Sequence, residues 1–307
     1  MRVVVLVLPD VNLLDLGGPV QVFDVAAHLG ADYRLTYVAD AAQHASAQGL
    51  MLSGLEPLPA TGPDDLILVP GPRLTSETSV SAAVVDWLRA GFVAGTRIAA
   101  VCSGAVALGE AGLLDGRRCT THWELLEPMR ARYPAARVQD AVLYVHDGLI
   151  STSAGISAGI DLALSLVERA HGPSLTAAVA RQLVVYLRRD GSAGQVSPFL
   201  AYRDHLNSAV HRVQDHVAQH LADPLTLTDL AGVAHMSPRG LSRAFTATIG
   251  ITPLRYQQQL RVELAQNLLS GTDLTVEAIA ARCGFHDARH LRRLFAVRHG
   301  APPSAHR

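Results

Sequence analysis

A chain of 307 residues that is 49% hydrophobic and 17% charged is long enough for two domains and too apolar to be disordered. Its net charge of −1 excludes a chain that is strongly basic or acidic throughout. The balance is uneven, however: residues 209–307 hold 11 arginines against 7 acidic residues, the remainder holds 15 against 20, and lysine is absent. A basic C-terminal part beside an acidic N-terminal part suits nucleic-acid contact at one end only.

In chain order, Val3 to Leu8 is a continuous apolar run ending at Pro9-Asp10. It is too short for a membrane span or a signal-peptide core and reads as a strand covered on both faces. A helix is expected over Pro19 to Leu29 and a strand over Tyr33 to Ala39. Leu66-Ile67-Leu68-Val69 reads as a buried strand stopped by Pro70-Gly71-Pro72. Val80 to Ala90 is helical by its spacing. Arg97 to Val101 is a further strand, broken at Cys102-Ser103-Gly104 before a helix through Leu108, and Ser157 to Ala170 is the last helix of this part. Alternating strands and helices predict an α/β domain with a mainly parallel sheet over residues 1–172. A connecting helix is expected over Pro173 to Arg189 and a linker over Asp190 to Pro198, so that residues 173–206 join the α/β domain to an all-α domain over 207–307. Cys102, Cys119 and Cys283 form no CxxC pair, and the histidines show no ligand spacing, so neither a disulfide framework nor a metal or other cofactor is expected. A reducing cytoplasm fits this cysteine usage.

The last hundred residues repeat themselves. Leu241-Ser242-Arg243-Ala244-Phe245 is answered by Leu291-Arg292-Arg293-Leu294-Phe295, Gly250 by Gly300 and Pro253 by Pro303. Each copy follows a short apolar helix, as a duplicated helix-turn-helix unit requires. Ser237 is a good N-cap with Pro238 at the first helical position. Helical spacing turns Leu241, Ala244 and Phe245 inward and leaves Arg239, Ser242, Arg243 and Thr246 outward; in the second copy Arg289, His290, Arg292 and Arg293 are the outward set. These eight residues are the candidate DNA contacts, because an arginine can grip guanine bidentately while hydroxyls suit bases or phosphates. The segment Pro253 to Leu269 predicts a rigid helix holding two reading helices about one duplex turn, ~34 Å, apart. A plain helical bundle with a solvated basic face accounts less well for the repeated register of Arg243 and Arg293.

The run from Ala280 to Phe295, with Gly300 and Pro303, resembles the signature of AraC/XylS-type transcriptional regulators, and that resemblance covers about the last hundred residues. It implies two helix-turn-helix units entering successive major grooves of promoter DNA. Ala305-His306 departs from the family's usual Tyr-Arg at the extreme end.

Ala100-Val101-Cys102-Ser103-Gly104 places a cysteine at a strand-to-helix turn, the geometry of a nucleophile elbow, and a helix start there is expected to lower its pKa. A small buried cysteine that merely packs is the competing reading. Asp15 and His122 are plausible polar partners. Leu14-Asp15-Leu16-Gly17-Gly18-Pro19, Val69-Pro70-Gly71, Val101-Cys102-Ser103-Gly104, Thr120-Thr121-His122-Trp123 and Ser153-Ala154-Gly155 resemble the PfpI-like branch of the class I glutamine-amidotransferase-like superfamily. The resemblance implies a flavodoxin-like sheet with helices on both faces and a pocket of Asp15, Gly71, Cys102, Ser103 and His122. Ser103 stands where protease-like members have a catalytic histidine, and Pro72 where many have a glycine N–H for an oxyanion. Cys102 is therefore expected to be a vestigial elbow in a pocket that senses a small-molecule effector. Fusion of the two parts resembles the GlxA-like regulators. It implies a homodimer that binds promoter DNA, with RNA polymerase as a candidate partner and no membrane association. The alternatives are a hydratase or amidase using Cys102 and Asp15, and a thiol redox sensor at Cys102.

Overall fold

The computed structural model describes residues 1–73, 80–140, 142–185, 191, 202–203, 205–272 and 274–306. The chain divides into two compact units, Met1–Gln195 and Val196–Arg307.

The first unit contains strands β1 (Arg2–Leu6), β2 (Arg34–Val38), β3 (Gln43–Ala45), β4 (Met51–Ser53), β5 (Asp65–Val69), β6 (Arg97–Val101), β7 (Arg118–Cys119), β8 (Arg137–Val138), β9 (Tyr144–Asp147) and β10 (Ile150–Ser153). Its helices are α1 (Leu13–His28), α2 (Ala82–Val93), α3 (Ala105–Glu110), α4 (Leu126–Arg132), α5 (Ser157–His171) and α6 (Pro173–Gln182). One sheet runs β2-β1-β5-β6-β10-β9, parallel throughout except for the antiparallel edge pair β10–β9. Val3, Val4 and Val5 are wholly buried because alternate residues serve opposite faces, both of them covered. Val4, Ile67, Ile98 and Ala100 pack toward α2 and α3, whereas Val3, Val5, Leu66 and Ala99 pack toward α1, α5 and α6. The chain passes from β1 outward to β2 and returns on the other side of β1 as β5, so the strand order reverses between β1 and β5. The carboxyl ends of strands beside such a reversal are where open α/β sheets hold ligands.

Helix α1 starts at Leu13, earlier than the expected Pro19, which places Pro19 inside the helix. Proline there forgoes the bond from its nitrogen to the Asp15 carbonyl. Burial of Pro19, Val22, Phe23 and Ala26 holds the helix despite that loss. Strand β1 also ends sooner than the apolar run, at Leu6, because the chain turns toward α1 while Val7 and Leu8 stay buried. Helix α6 ends at Gln182, and its Val179 is buried with the α1 and α5 side chains. Leu187, and the expected linker Asp190 to Pro198 apart from Gly191, lie outside the described residues.

The second unit contains α7 (Ser208–Gln219), α8 (Leu227–Ala234), α9 (Pro238–Ile249), α10 (Pro253–Gly271), α11 (Val276–Arg282) and α12 (Ala288–His299). Helix α10 is a shared spine. Tyr256 and Leu260 pack with α7, α8 and α9, while Val262, Ala265 and Leu269 pack with α11 and α12. Among the described residues no helix is long and apolar enough to cross a membrane.

Candidate functional site

The expected pocket residues come together at the carboxyl ends of β5 and β6. Cys102 follows β6 with a φ of 58°, a conformation that costs a non-glycine residue about 1–3 kcal/mol. The turn Cys102–Gly104 is helical and runs into α3. Cys102 is buried, as are Asp15 and Ser103. Gly71 packs so tightly that a Cβ on it would sit 2.9 Å from the Cys102 Cβ. Gly155, at φ 103°, faces the same side chain: a Cβ there would fall 2.3 Å from the Cys102 Cβ, so only glycine fits.

Asp15 is wholly buried on the first turn of α1. Its Oδ1 accepts the Ile156 N–H, while Oδ2 is buried and makes no regular hydrogen bond among the described residues. Burial raises the Asp15 carboxyl above its usual range, and the Ile156 N–H, the neighbouring thiol and His122 only partly offset this. The Cys102 thiol is pushed up to about 12, first by burial and then by the Asp15 charge. The lowered thiol expected from the helix start is therefore corrected: the Ser103 N–H does favour the thiolate, but burial and the adjacent carboxylate outweigh it. Ser103 Oγ donates to the Pro72 carbonyl, and Thr121 Oγ1 donates to the Cys102 carbonyl at 2.8 Å. His122 is half-buried with its Nδ1 3.6 Å from a Glu124 carboxylate oxygen.

Two contributors stand outside the expected pocket set. Ile156, at φ 50°, supplies the N–H that orients Asp15 from 141 positions away, and nothing in its residue type signals this. Thr121 lies beside the noted histidine, where a hydroxyl pairing with an elbow carbonyl has no distinctive spacing. Among the described residues no cluster of three or more His, Cys, Asp or Glu could hold a metal ion.

In the second unit the repeat is structural. Ser237 caps α9 by accepting the Gly240 N–H at 3.1 Å, and Asp287 caps α12 by accepting the His290 N–H at 2.7 Å. Gly250 and Gly300 close these helices in the left-handed conformation. Leu241 and Phe245, and Leu291 and Phe295, are fully buried. Arg239, Arg243, Thr246, Arg289, Arg292 and Arg293 are exposed, and Ser242 is half-buried. His290 is half-buried, its ring edge-on to Phe285 at 5.5 Å, and Arg292 bonds Glu277 of α11 at 2.6 Å. Each preceding helix is capped by a threonine, Thr226 for α8 and Thr275 for α11. The turn after α8 places His235 in the left-handed region, and Gly284 takes that conformation after α11.

Comparison with known proteins agrees with both halves. Residues 1–169 match the DJ-1/PfpI family and residues 230–307 match a helix-turn-helix domain. The chain is 33% identical to the HTH-type transcriptional regulator CdhR of Pseudomonas aeruginosa, over 98% of this chain and 90% of that protein. It is 35% identical to the isonitrile hydratase of Pseudomonas putida, over 58% of this chain and 75% of the hydratase. The crystal structure of an AraC family transcriptional regulator from Pseudomonas putida superposes with a TM-score of 0.53 at 25% identity, covering 59% of this chain and 98% of that one. CdhR matches nearly the whole chain, whereas the hydratase match is confined to part of it. The chain belongs to the HTH-type transcriptional regulators that join a DJ-1/PfpI domain to an AraC-type helix-turn-helix domain, and it is a DNA-binding protein of that family.

Proposed function

We propose that this regulator is controlled by a small-molecule effector held between Asp15, Gly71, Cys102, Ser103 and His122. The observation that carries the reading is the wholly buried Asp15 carboxyl at the carboxyl edge of the sheet, one oxygen of which makes no regular hydrogen bond among the described residues and has the Cys102 thiol and Asn12 as its side-chain neighbours. A buried carboxylate served by a weak thiol donor gains from a stronger one, and an effector bearing an N–H or O–H supplies it. Arg239, Ser242, Arg243 and Thr246 of α9 and Arg289, His290, Arg292 and Arg293 of α12 are the proposed contacts to promoter DNA. Arg243 and Arg293 read base edges, and the hydroxyls hold phosphates or bases. Residues 1–172 serve as sensor, 207–307 as reader and 173–206 as the join. Action in the cytoplasm as a homodimer, with RNA polymerase as the partner through which the bound regulator changes transcription, completes the proposal. Two chains on one operator multiply the contacts.

The test is fluorescence anisotropy of the full chain on a promoter duplex, titrated with a panel of polar metabolites. An active metabolite shifts the affinity of the wild type, and Asp15→Asn abolishes that shift while DNA binding persists. A shift that survives Asp15→Asn counts against the cleft.

The elbow geometry of Cys102 beside Asp15, together with the isonitrile hydratase relative, favours one further reading: residual hydration of a small substrate. A thiol held near 12, a proline in place of an N–H at position 72 and a Ser103 hydroxyl committed to the Pro72 carbonyl all weigh against it. The same thiol is a poor peroxide target, which weakens the redox-sensor alternative. Turnover of an isonitrile by the wild type that vanishes in Cys102→Ala would establish the enzymatic reading.

A further inference from the structure

At the opposite end of the sheet from Cys102 lies a cavity of about 230 Å³, lined among others by Leu66, Arg97, His146, Ser151, Leu166 and Arg169. Strand register explains the gathering. Arg97 is opposite Leu66, Ala99 is opposite Ser151, and Ser151 is opposite His146, so all of these side chains share one face of the sheet. Leu166 and Arg169 descend onto that face from the last turns of α5. Arg97 opens β6 and Cys102 follows its far end. Five residues of extended chain separate the two by roughly 16 Å.

The chemistry of this cavity is cationic. His146 is held neutral. Ser165 Oγ donates to the Leu162 carbonyl at 2.8 Å and so accepts from His146 Nε2–H at 3.0 Å, leaving Nδ1 to accept from the Ser151 hydroxyl at 2.8 Å. The two arginines therefore carry the charge. Two nearby acids are engaged elsewhere, Asp65 with Arg2 at 2.7 Å and Asp147 with Arg118 at 3.6 Å. Among the described residues Arg97 Nη2 has only the Met1 sulfur at 2.9 Å, and its Nε is buried with no acceptor. The Tyr33 hydroxyl, on a residue 7% exposed and near enough to feel the Arg97 charge, is likewise buried without a hydrogen-bond partner among the described residues. Unmatched buried donors around two guanidinium groups are costly unless an acceptor fills the space.

We propose that this cavity is a second ligand site, separate from the effector cleft, that binds the oxyanion of a small metabolite, a carboxylate or a phosphate, between Arg97 and Arg169. Guanidinium forks match both anions, and the partial burial of Arg97 strengthens its side of the pairing while Arg169 closes the site from its exposed position. Occupation supplies the acceptor that Arg97 lacks and ties the start of β6 to the end of α5.

Isothermal titration calorimetry of the full chain tests this with inorganic phosphate and with malonate, each against sodium chloride at the same ionic strength. Saturable binding of at least one anion is expected. Arg97→Gln should weaken it at least tenfold and Arg169→Gln at least fivefold. Arg34→Gln removes an equal charge from an exposed position on β2 and should change it less than twofold. Tighter phosphate identifies a phosphorylated ligand, and tighter malonate a carboxylate. If Arg97→Gln fails to fold, Arg169→Gln decides, since that residue is exposed near the end of α5. Heat no greater than that of chloride, or affinity unaltered by Arg169→Gln, overturns the site. None of these outcomes depends on Asp15 or Cys102, so failure here leaves the effector proposal standing.

Discussion

Arg243 and Arg293 occupy the same position of two like-built helices: each lies six residues past its N-cap, Ser237 or Asp287, and each is exposed between a buried leucine and a buried phenylalanine. Their equivalence is imposed from beneath. Leu241 and Phe245 are anchored on one end of α10's apolar surface and Leu291 and Phe295 on the other, so a single spine sets the facing of both arginines.

The close approach of the turn after α11 to the segment after α7 depends on Gly284. Its φ is 75°, and a Cβ there would lie 2.2 Å from the Ala222 carbonyl oxygen. Both strain and collision oppose a side chain, and Gly284→Ala is expected to cost about 1–3 kcal/mol of stability and to weaken DNA binding. Gly232, within α8 and with open space around it, behaves oppositely: Gly232→Ala should stabilise by up to about 1 kcal/mol. Urea unfolding of the two variants checks the contrast. Equal effects at both positions would contradict it.

The thiols should be inert in the native state. Burial holds Cys102 and Cys283 near 12 and Cys119 near 11, against an ordinary value of 9. A raised folded pKa contributes stability that is complete below pH 9 and is lost as pH climbs through 11 to 12. Slow alkylation by iodoacetamide at pH 8 is therefore expected, along with a falling melting temperature above pH 9. Asp15→Asn removes the charge that opposes the Cys102 thiolate, so alkylation of that residue should begin at lower pH. An unchanged profile would show that Asp15 does not govern the thiol.

His146 gives the opposite pH signature. Burial, with the Arg169 charge, lowers its pKa from 6.5 to about 4, so the native ring stays neutral where the unfolded ring takes a proton. Its contribution is complete above pH 6.5 and is lost as pH falls toward 4, by about 1–3 kcal/mol. Replacement by glutamine should flatten that acid limb of the stability curve, measured by denaturant midpoints from pH 7 to 4. A limb equally steep in His146→Gln would assign it to other groups.

Much of the reader was legible in the sequence because its determinants are local. Ser237, Asp287, Gly250 and Gly300 cap helices from within a few residues, and the leucine–phenylalanine spacing fixes which side is buried. His290 shows the limit of that reasoning, since its helical position points outward while contact with Phe285 half-buries the ring. In the sheet domain, Cys102 and Gly71 were visible from the breaks that end β6 and β5. The Asp15–Ile156 bond was not, because it joins the start of α1 to a strained residue before α5. Nor was the cavity at Arg97, which exists only once strand register sets Arg97, Ser151 and His146 on one face. The thiol was misjudged because sequence shows the helix start but not the depth of burial or the charge beside it.

The most direct test of the account measures binding of the full chain to a duplex selected from genomic fragments, by fluorescence anisotropy at fixed moderate salt, for the wild type, Arg243→Ala and Arg293→Ala. Each substitution should cost about 1–3 kcal/mol and relax base preference in one half-site only, the two half-sites lying about one duplex turn apart. Unchanged affinity and base preference in both variants, or a wild type that prefers no duplex over random competitor, would contradict the placement of α9 and α12 as the reading helices.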